Sequence, residues 1–201
     1  MPSQKSLVRA GLFVVLALST ISPVLACVGC GHTPQEDFVR GFRHPFLNAD
    51  HFLAMLTVGL WIAQAKDKNQ YLLALIFPLA MMLGIAQGLH DYFSPSMERG
   101  VAASVALLGF FVAIVLKLPV WVSSSMVAAF AYLHGFVHGT EMGKGPGAQY
   151  DMFGAFCGTL VLHLIGFGLG KALHLIYEGK IVRTAGAGIT SYGIYLLSAM
   201  S

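Results

Sequence analysis

YLLALIFPLAMMLGIAQGLHDYF, residues 71–93, contains no Asp, Glu, Lys or Arg before Asp91. About 20 apolar residues in succession match the hydrocarbon thickness of a bilayer when they form a helix. The stretch does not alternate with a period of two, and hydrocarbon offers no hydrogen-bond partner to an unpaired backbone. It is therefore predicted to be a membrane-spanning helix rather than a barrel strand.

Five further apolar stretches accompany this one, separated by short loops, at about 46–65, 99–116, 119–139, 151–171 and 184–200. The whole composition agrees, because 56% of the 201 residues are hydrophobic and only 10% are charged. A mean hydropathy of +0.72 is too apolar for a soluble domain that must cover its surface with polar groups. We predict an all-α, polytopic membrane bundle of six transmembrane helices, formed by residues 46–201 as one domain.

Residues 1–26 have the pattern of a signal peptide, with a basic start, an apolar run over 10–18 and small residues up to Ala26. Cleavage after Ala26 would leave 27–45 as a short extracytoplasmic segment. Two alternatives stay open. The leader could persist as an extra helix, or Cys27 could be lipidated, although the apolar residue preferred before it is misplaced by one.

The loop charges favour one orientation. With an exported N-terminus, six basic residues face the cytoplasm and four face outward: Lys66, Lys68, Lys117, Lys171, Lys180 and Arg183 against Arg40, Arg43, Arg99 and Lys144. This modest bias follows the positive-inside rule. We predict a bacterial inner-membrane protein with a periplasmic mature N-terminus. Without Lys5 and Arg9 of the leader the chain has about as many basic as acidic residues, and this near-neutral balance argues against a nucleic-acid partner.

In this orientation nine side chains able to bind metal lie toward the outer face. They are His44, Asp50, His51, His90, Asp91, Glu98, His134, His138 and Glu141. Ionisable groups in or near membrane helices are costly, and they are usually retained for partners, metals or protons. Their concentration on one face indicates a metal site.

The first group opens with His44-Pro45 and ends with Asp50-His51. Pro45 is predicted in the first turn of a helix. In a regular helix His44 and His51 share a face but lie about 10 Å apart along the axis. Either the chain between them is irregular and folds His44 back, or His44 captures the ion before Asp50 and His51 receive it.

The second group is His134-Gly135-Phe136-Val137-His138-Gly139-Thr140-Glu141. Histidines at i and i+4 lie on one helix face and can share an ion. Glu141 stays on that side as an oxygen ligand or as the acceptor that orients a histidine. Imidazole mixed with carboxylate suits Ni²⁺, Co²⁺, Zn²⁺ or Cu²⁺, whereas Mg²⁺ and Ca²⁺ prefer nearly all-oxygen sites.

These motifs, His44-x5-Asp50-His51 and His134-Gly135-x2-His138-Gly139-x-Glu141 with Glu98 and Ser104, resemble the HupE/UreJ family over the whole mature chain. The family comprises nickel permeases associated with hydrogenase and urease maturation. The resemblance implies nickel entry by facilitated diffusion without ATP, and the chain has no GxxxxGK[ST] phosphate loop. Carried over, the metal-essential residues are His44, Asp50 and His51, followed by His134, His138 and Glu141. Asn48-Ala49 stands where the family would have a glycine before the Asp-His pair.

Several residues are additional candidates. His90, Asp91 and Glu98 border the outer face, and His163 lies just past the midplane of its span, as a stepping stone for the ion or as a hydrogen-bonding group. The mature N-terminus carries Cys27, Cys30 and His32. Two interpretations of this segment stay open: a disulfide between the cysteines, or a tether that captures metal.

We therefore predict a secondary, non-ATP permease for a divalent transition metal, with Ni²⁺ favoured. The alternatives are a permease of the same type for Co²⁺ or another metal, and a membrane protein that binds metal or haem. A zinc enzyme is disfavoured, because residue 135 is Gly and the HExxH order is absent. No catalytic residue or prosthetic group is expected. The predicted partners are the metal ion and the lipid bilayer, and a homo-oligomer is left open.

Overall fold

The structure, a computed structural model, describes residues 33–91, 94–142, 145 and 147–200. The predicted leader 1–26, the cysteines Cys27 and Cys30, and His32 lie outside the described residues. The described part is entirely helical. Its helices are α1 (Pro34–Leu47), α2 (Ala49–Gln64), a 3-10 helix (Lys68–Leu72), α3 (Leu73–Gly88), α4 (Pro95–Ala113), α5 (Val120–Glu141), α6 (Ala148–Tyr177) and α7 (Lys180–Ala199).

Each of the six predicted stretches overlaps one of the helices α2 to α7, although α4 to α7 extend beyond the predicted bounds. Among the described residues, four helical segments are long and apolar enough to cross a bilayer: Lys68–Gly88, α4, α5 and α6. A fifth is added if α1 and α2, which bend by 80° at their junction, count as one broken span. The structure thus has the predicted all-α membrane architecture with four to five candidate spans, one or two fewer than the six predicted.

Helix α1 was not foreseen as a helix. It begins with a capping box in which the Thr33 hydroxyl accepts from the Glu36 backbone N–H at 3.3 Å, and the Glu36 carboxylate accepts from the Thr33 N–H at 2.8 Å. Pro34 follows in the first turn, where its missing N–H costs nothing. The pattern Thr33-Pro34-Gln35-Glu36 is a sequence signal for a helix start that could have revealed α1.

The prediction that Pro45 opens a helix was wrong. Pro45 lies near the end of α1, which stops at Leu47, and Asn48 takes an extended conformation (φ −99°, ψ 117°) before α2 begins at Ala49. A proline removes a backbone donor and crowds the preceding turn, so that a helix containing one is easily ended soon after it. The result is a sharp corner between two helices.

The helices pack chiefly in pairs: α1 and α2 against α6, α3 against α5, and α4 against α7. Glycines allow α3 and α5 to approach each other closely. A Cβ at Gly135 would clash with the Met81 carbonyl, and one at Gly139 would clash with the Ile85 carbonyl. The two glycines therefore make room beside the histidines of α5 and let that helix pack directly against α3.

The bundle has two distinct ends. One end gathers the α1–α2 corner, the start of α4 and the end of α5, and we call it the histidine end. At the other, the Trp61 indole donates to the Leu116 carbonyl at 2.9 Å and the Gln64 amide donates to the Val112 carbonyl at 3.1 Å. A cavity of about 160 Å³ opens beside Trp61 and Gln64.

Candidate metal site

The corner at Asn48 brings His44 next to His51. Their ring centroids are 5.6 Å apart, closer than a regular helix would allow for residues seven apart. Of the two alternatives for this segment, an irregular chain that folds His44 back is the one observed. The Asn48 amide nitrogen lies 2.7 Å from His44 Nε2 and holds the ring at the corner.

Two histidines of α5 complete the arrangement. The His138 ring lies 3.8 Å from that of His44 and 4.8 Å from that of His51, and the His134 ring lies 4.9 Å from that of His51. We call His44, His51, His134 and His138 the histidine cluster. Within the described residues, His44, His51 and His138 can each offer one ligand atom with all three atoms within 4.8 Å of one another.

Asp50 orients the His51 ring. Asp50 Oδ1 accepts from His51 Nδ1 at 2.8 Å and also from the His51 backbone N–H at 2.8 Å. A carboxylate on one ring nitrogen fixes the proton there and leaves the lone pair of the other nitrogen free, as is common behind metal-binding histidines. His51 Nε2 is that free nitrogen, since it is buried and has no hydrogen-bond partner in the part of the chain that the structure describes.

Ser104 of α4 orients His134 in a similar way. The Ser104 hydroxyl donates to the Val101 carbonyl at 2.7 Å and lies 2.8 Å from His134 Nε2. Because its only proton is used, the hydroxyl must accept from a protonated Nε2. The lone pair of His134 is then on Nδ1, which is buried and has no partner in the described structure.

Exposure decreases steadily from the surface into the cluster. The side chains of Glu141 and Asp50 are 46% and 32% exposed, that of His44 is 22% exposed and that of His51 only 3%. His138 is fully buried. Glu141 Oε2 lies 3.4 Å from His44 Nε2, so a carboxylate stands at the mouth directly before the first imidazole. Carboxylates therefore lie at the exposed opening of the site, and imidazoles line its buried interior.

The imidazoles have more hydrogen-bonding capacity than the protein satisfies. In addition to His51 Nε2 and His134 Nδ1, both ring nitrogens of His138 are buried without a partner among the described residues. Each such atom costs about 1–3 kcal/mol relative to a satisfied one. A cation bound between the rings would satisfy them, and the donor set of imidazole nitrogens with nearby carboxylates suits divalent first-row metals.

Comparison with known proteins agrees with this chemistry. The HupE / UreJ protein family matches residues 14–196, which is most of the chain. The chain belongs to the HupE/UreJ family. It is 34% identical over 160 residues to Protein HupE of Rhizobium leguminosarum bv. viciae, and the match covers 79% of this chain and 83% of that protein. No solved structure matches. The resemblance drawn from the motifs is confirmed, and the HupE/UreJ family consists of transporters rather than enzymes.

The remaining candidates of this HupE/UreJ chain take different positions. Glu98, in the first turn of α4, is near enough to act electrostatically on Glu141. Asp91 accepts from Gln87 at 2.6 Å and His90 is exposed, and neither belongs to the ligand group. His163 is buried in α6 and is not in the ligand group.

The Asn48-Ala49 departure from the family pattern does not disturb the geometry. Asn48 has a negative φ of −99° in an extended conformation, and Ala49 is the first residue of α2. Neither position requires the left-handed backbone for which glycine is needed. The role of Asn48 against His44 was missed, because nothing in a single sequence shows that the chain turns there.

An ion-pair group anchors α1, and with it His44, to α6. Arg40 contacts Asp37 of its own helix at 2.7 Å and Asp151 of α6 at 2.8 Å. Both carboxylates are buried, whereas the arginine side chain is 41% exposed. This anchor was also missed, since Asp151 is more than a hundred residues away in the sequence.

Replacing Arg40 is expected to loosen the site without removing a ligand. An Arg40→Ala variant would leave Asp37 and Asp151 close together and unneutralised, at a cost of about 1–2 kcal/mol after allowance for solvent at the half-exposed arginine. Part of that cost should appear as weaker binding of a divalent transition metal ion, measurable by titration calorimetry. Arg43→Ala, which removes the same charge from the same helix, is the matched control. Equal affinities for the two variants would show that the anchor does not position His44.

Haem binding by the cluster is disfavoured by its packing. In bis-histidine ligation the porphyrin lies between two imidazoles. The His44 and His138 rings are only 3.8 Å apart at their centroids, which leaves no space for a macrocycle. The cluster has the dimensions of a site for a single ion.

Proposed function

We propose that this protein is a secondary permease for a divalent transition metal ion, with Ni²⁺ as the favoured substrate and Co²⁺ as the alternative. The observation that carries the proposal is the ligand group of His44, His51 and His138, drawn from three helices within an apolar bundle. Membership in a family of transporters supports movement of the ion rather than its storage.

Six residues have assigned roles in this proposal. His44, His51 and His138 bind the ion, Asp50 holds His51 in the binding tautomer, Glu141 attracts the cation at the mouth, and His134 receives it further inside. Three imidazoles leave room for water in the remaining coordination positions. An incomplete protein ligand set suits a permease, because the ion must also leave.

The proposed membrane arrangement has six spans in the inner membrane, with α2 and α7 added to the four long apolar segments. The leader 1–26 is removed and the histidine end faces the periplasm. The loops at the opposite end support this orientation, since Lys66, Lys68 and Lys117 all lie there. Nickel is preferred to cobalt on the family resemblance alone, because the two ions use the same donors.

Uptake into proteoliposomes tests the function. Liposomes containing the purified protein should accumulate radioactive Ni²⁺ above protein-free liposomes, with competition by Co²⁺ and none by Mg²⁺. A His51→Ala variant should reduce uptake to the protein-free level, because it removes a ligand whose nitrogen is already oriented. His174→Ala, which removes an exposed histidine outside the cluster, is the matched control and should retain uptake.

Two results would reject the proposal. One is accumulation by the intact protein that does not exceed that of empty liposomes, with protein incorporation verified. The other is full uptake by His51→Ala, which would separate the histidine cluster from transport.

A further inference from the structure

His163 is a buried imidazole that the histidine cluster does not use. It lies in α6 and is only 1% exposed. His163 Nδ1 is 3.2 Å from the Ala74 carbonyl, which can only accept, so the ring carries its proton on Nδ1. The lone pair of Nε2 is then free, and that atom is buried without a hydrogen-bond partner among the described residues.

The Phe77 ring contacts both His163 and the His134 ring of the histidine cluster. Phe77 is fully buried, and its centroid lies 5.9 Å from that of His134 and 5.3 Å from that of His163. The ring meets His163 edge to face, at 88°. The two free imidazole nitrogens, His134 Nδ1 and His163 Nε2, therefore belong to rings packed against the same phenyl group.

One hydroxyl and two thioether sulfur atoms lie close together on the helices that carry His163, His51 and Phe77. The Thr159 hydroxyl, one turn before His163 on α6, lies 3.2 Å from Met55 Sδ and 3.6 Å from Met81 Sδ. Met55 is one turn beyond His51 on α2, and Met81 is one turn from Phe77 on α3. Thioether sulfur can contact a borderline divalent ion, so these groups provide weak donors between the cluster and His163.

A purely structural role explains only one of the two ring nitrogens of His163, namely Nδ1. The bond from Nδ1 to Ala74 would hold α6 against α3, and many donors could make it. It gives no reason for a second nitrogen that is buried, unprotonated and unsatisfied, which costs free energy in a membrane bundle.

We infer that His163 Nε2 is a second station for the transported ion, linked to the histidine cluster through the Phe77 ring. This inference rests on the proposed function and extends it. The ligand class is a divalent first-row cation that leaves the cluster through His134, passes Met55, Met81 and Phe77, and binds His163 before release at the end that carries Trp61 and Gln64.

A ligand exchange at position 163 tests the station. His163→Cys offers a sulfur ligand that favours soft ions. His163→Ser places a side chain of nearly the same size as cysteine at this position but offers a poor metal ligand. His163→Ser should reduce Ni²⁺ uptake into proteoliposomes by about tenfold or more, the size of effect seen when a group that supports metal binding is removed. His163→Cys should raise the ratio of Cd²⁺ to Ni²⁺ uptake about tenfold over both the intact protein and the serine variant. A merely structural histidine would not change this ratio.

Ni²⁺ binding to the histidine cluster, measured in detergent by calorimetry, should be unchanged in both variants. His163→Asn, whose amide can still donate to Ala74, serves as a third variant if serine prevents folding. Ni²⁺ uptake by His163→Ser or His163→Asn at the intact level would overturn the inference, as would an unchanged Cd²⁺ to Ni²⁺ ratio in His163→Cys. An intact protein that fails to take up Ni²⁺ would instead overturn the proposed function, so the two failures are distinguishable.

Discussion

Replacing His138 with leucine is expected to lower the affinity for Ni²⁺ by about a hundredfold or more, since even an outer-shell partner of a metal can be worth that much. His138 packs against both His44 and His51, at 3.8 Å and 4.8 Å between ring centroids, whereas the rings of His44 and His51 are 5.6 Å apart. Its removal leaves two imidazoles that have no third donor between them.

The same substitution should not destabilise the metal-free protein. Neither nitrogen of His138 has a hydrogen-bond partner among the described residues, so leucine leaves none of those residues unsatisfied and removes two buried polar atoms. The expected combination is strongly reduced Ni²⁺ binding with an unfolding temperature, in the absence of metal, that is equal to or above that of the intact protein. Calorimetric titration and thermal unfolding in detergent measure the two quantities.

That combination separates a ligand from a structural histidine. A structural histidine would lose stability first and affinity only as a consequence. Unchanged affinity in His138→Leu would remove the residue from the site. A large loss of metal-free stability would show that the ring has a packing role that outweighs its unsatisfied nitrogens.

Asp50 is expected to act through His51. An Asp50→Asn variant keeps an acceptor for His51 Nδ1 but loses the charge, and should weaken Ni²⁺ binding by about tenfold. Asp50→Ala loses the acceptor as well, frees the ring to rotate and change tautomer, and should weaken binding by about a hundredfold. The graded loss is the signature of a group that orients a ligand.

The control for Asp50 is Asp67→Asn, which removes an exposed carboxylate at the opposite end of the bundle. Its Ni²⁺ affinity should equal that of the intact protein. If Asp50→Ala binds as tightly as the intact protein, the short contact between Asp50 and His51 has no part in metal binding.

The sequence predicts the helices of this fold better than their junctions. The apolar run at 71–93 and its five counterparts each overlap one of the helices α2 to α7, because hydrocarbon enforces internal backbone hydrogen bonding. Two features could not be found by searching the sequence for long apolar stretches. Helix α1 is short and amphipathic, and its capping box at Thr33 is its only strong local signal. The corner at Asn48 follows Pro45, and α1 is held against α6 by the contact between Arg40 and Asp151, which are distant in the sequence.

The site shows the same division. The spacing of His134 and His138 correctly predicted two imidazoles on one face of α5. That His138 belongs to the ligand group whereas His134 contacts Ser104 was not predictable. It depends on the position of Ser104 in α4 and on the α1–α2 corner, which places His44 beside His138. His90 and Asp91 were predicted at the same outer membrane face as these histidines. They follow the end of α3 at Gly88 and do not join the ligand group.

X-ray absorption of the Ni²⁺-loaded protein tests most directly whether one ion is held by histidines from α1, α2 and α5. The ligand group predicts scattering from three imidazoles around nickel, falling to two in His44→Ala while the ion remains bound. Nickel surrounded by oxygen alone, or an imidazole signal unchanged in His44→Ala, would contradict the three-helix site.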